Sequence, residues 1–92
     1  MDGLTSSDHG ALNELRVSID LMGKGYKIFR ALNPNAPFDL IAYKNKKLYK
    51  IEVRTRVFKK DGTLSPGKKE RDDTDVYAWV MPTAIIYEPN IF

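Results

Sequence analysis

The residues of this 92-residue chain best suited to chemistry sit in two short apolar runs. The first reads Pro37-Phe38-Asp39-Leu40-Ile41-Ala42-Tyr43 and the second Leu48-Tyr49-Lys50-Ile51-Glu52-Val53-Arg54-Thr55-Arg56, joined by Lys44-Asn45-Lys46-Lys47. A carboxylate inside an apolar strand costs several kcal/mol unless a partner compensates its desolvation. Asp39 lies five residues before Lys44 and Glu52 five after Lys47. In a hairpin the two face one another, with Cβ atoms about 4.5–5.5 Å apart. Like charges so placed repel unless a cation stands between them. Two carboxylates that share a divalent cation suggest phosphate chemistry, because such an ion also takes phosphate oxygens and water. Arg54 follows on the same strand face, where a cation stabilises charge developing on a phosphate. The plainer alternative is a solvated hairpin face carrying paired charges.

These positions demand particular elements, and the flanking sequence supplies them. The polar Lys44-Asn45-Lys46-Lys47 connection suits a β-hairpin. In its second strand Ile51, Val53, Thr55 and Val57 share one face, and Lys50, Glu52, Arg54 and Arg56 the other. Upstream, Ser7 or Asp8 is expected to cap a helix whose main apolar stripe is Leu12, Leu15, Ile19 and Met22. Val17 and Leu21 form a narrower strip on that helix, with Glu14 beside it, and Gly23-Lys24-Gly25 stops it. Residues 26–32, 75–81 and 84–87 are further strand candidates, and Asn33-Pro34-Asn35-Ala36-Pro37 is a loop. Residues 1–7 are expected to form a flexible leader and residues 59–74 a charged loop. The order of elements predicts one α/β domain over residues 1–92, small and single, with a central mixed β-sheet flanked by helices.

On these residues the chain resembles the PD-(D/E)XK nuclease superfamily, whose signature is an Asp on one strand and (Asp/Glu)-X-Lys on the next. Asp39, Glu52-Val53-Arg54 and the helical Glu14 occupy those places. Gly10-Ala11-Leu12-Asn13-Glu14-Leu15, Gly25-Tyr26-Lys27-Ile28, Pro37-Phe38-Asp39-Leu40-Ile41-Ala42 and Asp75-Val76-Tyr77-Ala78-Trp79 look like the small Holliday-junction-resolvase and homing-endonuclease-like branch. The resemblance covers about residues 10–88. It implies a restriction-endonuclease-like fold and metal-dependent cleavage of DNA, which could be selective for branched structures. Asp39, Glu52 and Val53 would form the Mg²⁺ or Mn²⁺ site, and Glu14 would complete it. The motif departs from the pattern at Arg54, which replaces its lysine. Arginine keeps its proton up to a pH of about 12, so it can clamp a phosphate but cannot serve as a base. Lys50, on the same face, is placed to share the electrostatic role.

The balance of 15 Lys+Arg against 12 Asp+Glu gives a net charge of +3. Lys44, Lys46, Lys47, Arg56, Lys59, Lys60, Lys68, Lys69 and Arg71 are the candidate contacts to the DNA backbone. Such contacts give affinity and salt dependence without sequence preference. The absence of cysteine excludes disulfides and thiolate zinc sites. With no signal-peptide pattern and no apolar run near the roughly 20 residues of a membrane span, a cytoplasmic protein is expected. One active site cuts one strand, so paired cuts call for a homodimer or higher oligomer, with Trp79, Ile85, Ile86, Ile91 and Phe92 as the expected contact. His9 reads as an exposed bystander. Two rival classes are a nuclease-fold DNA-binding module whose chemistry was lost at Arg54, and a small protein-interaction domain.

Overall fold

Thr5 starts the helix: its hydroxyl accepts the Asp8 N–H at 3.1 Å, and the Asp8 carboxylate accepts the Thr5 N–H at 3.0 Å. This reciprocal pair satisfies two donors that an uncapped helix would leave orphaned. The structure, a computed structural model, describes residues 3–33, 35–56, 59–63 and 73–92. Helix α1 runs Ser6–Gly23, so the cap is Thr5 rather than Ser7 or Asp8, and Ser6 and Ser7 belong to the helix rather than to a leader. Its end is a Schellman motif: Gly25 N–H donates to Met22 C=O and Tyr26 N–H to Leu21 C=O. Gly25 takes φ +91°, a conformation that glycine enters without steric cost.

Five strands follow among the described residues: β1 Lys27–Arg30, β2 Leu40–Lys44, β3 Lys47–Thr55, β4 Val76–Met81 and β5 Ala84–Glu88. They form one sheet in chain order, antiparallel throughout except for the parallel β3–β4 pair. The sheet is therefore mixed, as expected, and α1 is the helix that covers it among the described residues. No helix among them is long and apolar enough to cross a membrane. The β2–β3 turn is tighter than the four-residue connection expected. Lys44 pairs with Lys47, leaving a two-residue loop of Asn45 and Lys46 with φ 53° and 65°. Two successive positive φ values mark the type I′ turn, whose twist matches that of the strands it joins.

α1 packs on the face of the sheet formed by Leu40, Ala42, Ile51, Val76, Ala78 and Val80. It does so through the narrower strip, burying Val17 and Leu21 completely. The main apolar stripe points outward: Leu15, Ile19 and Met22 are 46%, 71% and 61% exposed. Two polar side chains fix this rotation of the helix. Asn13 Nδ2 donates to Thr55 Oγ1 at 2.7 Å, and Ser18 folds its hydroxyl back to Glu14 C=O at 2.8 Å. Buried polar groups are tolerated when so satisfied, and the small Val17 and Ser18 let the helix approach closely. Phe92 closes the core edge to face with Tyr26, Tyr49 and Tyr87. Trp79 is buried, stacked on Tyr77 and donating to Glu88 Oε1 at 3.0 Å. Neither Trp79 nor Phe92 is thus presented as an oligomer contact.

Candidate active site

β3 is longer than β2, so its N–H groups run on past the point where β2 begins. Asp39 meets that overhang. Its N–H donates to Ile51 C=O at 2.9 Å, its C=O accepts the Ala31 N–H at 3.1 Å, and its Oδ2 accepts the Val53 N–H at 2.8 Å. The side chain thereby takes over a ladder bond the main chain no longer supplies. The ladder register ends at Leu40↔Ile51, and the Asp39 N–H turns to Ile51 C=O, so Asp39 sits outside the regular register in which counting outward from the turn sets it against Glu52.

Ile51 and Val53 pack toward α1, so Glu52, alternating with them, lies on the other face of the sheet. It is buried, 4% exposed, and opposite Tyr77 on β4. Arg54 Nε stands 3.6 Å from Glu52 Oε1, and Arg54 itself is opposite Trp79. The arginine therefore neutralises the buried carboxylate directly. Glu14 approaches from α1. It shares a cleft of about 210 Å³ with Arg30, Leu32, Phe38 and Asp39, and its Oε1 is 4.0 Å from Arg30 Nη2. Burial, and next the charge of Asp39, push the Glu14 carboxyl above its ordinary range, with Arg30 offsetting part of the rise.

The structure thus sets Asp39 beside Glu14 in one cleft, and Glu52 beside Arg54 on the sheet face away from α1. It does not gather Glu14, Asp39 and Glu52 into a single three-carboxylate cluster among the described residues. Two carboxylates and the carbonyl of Val53, whose side chain has no donor, make an all-oxygen set. That set fits a hard divalent cation that keeps several of its waters, and not a softer metal that prefers nitrogen or sulfur.

The remaining candidates are dispersed. Lys50 extends over the Phe38 ring at 5.9 Å, while its main chain is held by Asp75 through bonds of 2.8 and 2.9 Å. Lys44 turns to the helix end, donating to Lys24 C=O at 2.9 Å and lying 5.0 Å from the Tyr26 ring centroid. Lys46 and Lys47 are exposed at the hairpin tip, five strand positions or roughly 17 Å from Asp39. Arg56 packs over the Trp79 ring at 5.5 Å. Lys59 and Lys60 are exposed in a turn closed by Lys59 N–H donating to Thr63 C=O. Lys68, Lys69 and Arg71 lie outside the described residues. His9 is exposed in the first turns of α1. Arg30 and Asp75 carry roles that sequence reasoning missed. Arg30 becomes visible only once β1 is known to pair with β2, which sets it opposite Leu40 and next to Asp39.

Comparison with known proteins adds two findings. A family profile described as PD-(D/E)XK endonuclease matches residues 4–82. The fold is similar to the solved structure of a bacterial homing endonuclease, I-Ssp6803I, with TM-score 0.74 and 12% sequence identity, covering 91% of this chain and 67% of that one. Among curated proteins no sequence match was found.

Proposed function

Because this chain belongs to the PD-(D/E)XK endonuclease family, we propose that it hydrolyses phosphodiester bonds in DNA with Mg²⁺ or Mn²⁺ held by Asp39, Glu52 and the Val53 carbonyl. When bound, such a cation supplies a Lewis acid that draws charge from a phosphate oxygen. The chain's own groups do the rest. Asp39 is fixed through Oδ2 by the Val53 N–H, which orients Oδ1 as the ligand. Arg54, beside Glu52, clamps a non-bridging phosphate oxygen as charge builds on it, with Lys50 adding to the local positive field. Glu14, with its affinity for a proton raised by burial and by Asp39, orients the attacking water from the helix side of the cleft. Lys44, Lys46, Lys47, Arg56, Lys59, Lys60, Lys68, Lys69 and Arg71 supply backbone contacts that hold DNA without reading its sequence.

The observation that carries this reading is the Asp39–Val53 bond at the strand mouth, which ties Asp39 to the strand segment holding Glu52 and Arg54. A carboxylate anchored on the residue next to a second, buried carboxylate supports a cation shared between them. One site per chain suits a homodimer or higher oligomer that makes paired cuts in duplex DNA or in a four-way junction. A cytoplasmic setting fits a chain without cysteine. The test is cleavage of plasmid, linear duplex, single strands and a four-way junction with Mg²⁺, Mn²⁺ or EDTA. Cutting that needs the cation and disappears in Asp39→Ala and Glu52→Ala supports the proposal. Cutting that survives both substitutions overturns it.

One observation favours a second reading. The Arg54 guanidinium already neutralises Glu52, which suits a module that binds DNA without cutting it. Salt-dependent binding to the same DNAs, with no cleavage under any cation, would select that reading.

A further inference from the structure

The outward side of α1 carries a seam that the domain itself does not use. Leu12, Leu15, Ile19 and Met22 follow one another at intervals of three, four and three residues. This is the strict a/d repeat of a coiled-coil seam, narrower than the stripe a helix turns to a sheet. α1 already buries Val17 and Leu21 on its other side, and Leu15, Ile19 and Met22 stay largely in water. Leu4 extends the patch at its N-terminal end, where it borders a hollow of about 380 Å³ with Asp8, Ala11, Leu12 and Leu15. At the C-terminal end Met22 shares a second hollow with Phe29.

We propose that this seam is the contact with a second copy of the chain, in a two-fold antiparallel pair of α1 helices. An a/d seam is complementary to another helix with the same spacing, and a two-fold axis provides one. Centred near Leu15, antiparallel pairing sets Leu12 against the second copy's Ile19 and brings Leu15 of both copies to the axis. The Met22 side chain then enters the hollow beside Leu4 and Leu12 of the other copy. The dipoles of the two antiparallel helices oppose one another. Two 18-residue helices so paired bury on the order of 1,000 Å² in total, the lower bound for specific association. An interface of that size suits a weak, reversible dimer. This contact gives paired cutting the interface it needs, yet it stands without the nuclease reading, because its test contains no DNA.

Sedimentation velocity of the full chain from about 5 to about 500 μM provides that test. The wild type is expected to pass from the 10.5 kDa monomer to a species of twice that mass. Ile19→Glu, at an exposed position that leaves the core intact, is expected to raise the dissociation constant at least ~100-fold with unchanged circular dichroism and melting. The chain lacks cysteine, so Leu15→Cys introduces a lone thiol, which is expected to form a disulfide-linked dimer readily and faster than Met22→Cys. A wild type that stays monomeric at the highest concentration, or an Ile19→Glu variant that dimerises like the wild type, would overturn the contact. Faster cross-linking through Met22→Cys would overturn its antiparallel sense.

Discussion

The Asp39 carboxylate accepts the Val53 main-chain N–H at 2.8 Å, so the proposed metal ligand also closes the end of a β-ladder. These two roles separate by substitution. Asp39→Asn keeps an acceptor oxygen and loses the charge, whereas Asp39→Ala leaves a part-buried N–H without its acceptor. Urea unfolding should show the Ala variant less stable by about 1–3 kcal/mol and the Asn variant within about 1 kcal/mol of wild type. Cleavage should be lost in both. An Asn variant that cleaves at the wild-type rate would remove the charge of Asp39 from the chemistry.

Arg54 is expected to act through its charge. Arg54→Ala should lower the cleavage rate by about 10²- to 10³-fold, the usual loss when a donor to a developing oxyanion is removed. Arg54→Lys keeps the positive charge near Glu52 and should stay within about tenfold of wild type. A marked rise in rate for the lysine variant would show instead that the arginine impairs a role only lysine performs.

Tyr87 donates to Asp20 Oδ2 at 2.6 Å, and Lys24 Nζ reaches the same oxygen at 3.1 Å. Burial pushes the Asp20 carboxyl up, but the hydrogen bonds from Tyr87 and Lys24, with the Lys24 charge, outweigh it and hold the carboxyl below its ordinary 3.8. Burial, then the bond to Asp20 and its charge, raise the Tyr87 hydroxyl far above its ordinary 10.0. The lowered acid contributes stability above pH 3.8 that is lost as pH falls through its folded value. The raised phenol contributes stability below pH 10.0 that is lost as pH rises beyond it. Tyr87→Phe should cost about 1–2 kcal/mol at neutral pH and flatten both limbs of the stability profile. An unchanged profile would show that the pair adds nothing to folding.

Lys46 sits at φ 65° in the hairpin turn, where glycine is unstrained. Lys46→Gly turns the loop into Asn-Gly, the preferred type I′ pair, and should raise stability by about 0.5–1 kcal/mol. If Lys46 touches a phosphate, the slope of log affinity against log salt should also fall by about one. Calorimetry and a binding series in rising salt check the two effects separately.

The hairpin chemistry was legible in the sequence because strands alternate strictly. Once the turn was placed, counting outward set Arg54 on the same face as Glu52 and gave the pairing as far as Leu40, where the register agrees; at Asp39 the N–H turns to Ile51 C=O and the count no longer holds. The rotation of α1 was not legible. Leu12, Leu15, Ile19 and Met22 make the more apolar stripe, but which stripe meets the sheet depends on Asn13 reaching Thr55, a contact 42 residues away in the chain. The cap was misread for a local reason: Thr5 and Asp8 form the reciprocal pair with aspartate where glutamate is usual. Arg30 and Asp75 gained their roles only from tertiary pairing, Arg30 through β1–β2 and Asp75 by holding the main chain of Lys50.

Asp39 and Glu52 are proposed to form one cation-dependent site for cutting DNA. This is tested most directly by cleavage of plasmid and four-way-junction DNA with the wild type and Glu52→Gln, each in Mg²⁺, Mn²⁺ and EDTA. The glutamine keeps the shape of the buried side chain and removes its charge. Cleavage is expected from the wild type with either cation and none in EDTA, with a loss of at least about 10²-fold in Glu52→Gln measured on protein shown by circular dichroism to be folded. Equal cleavage by the two proteins, or wild-type cleavage that persists in EDTA, would contradict the proposal.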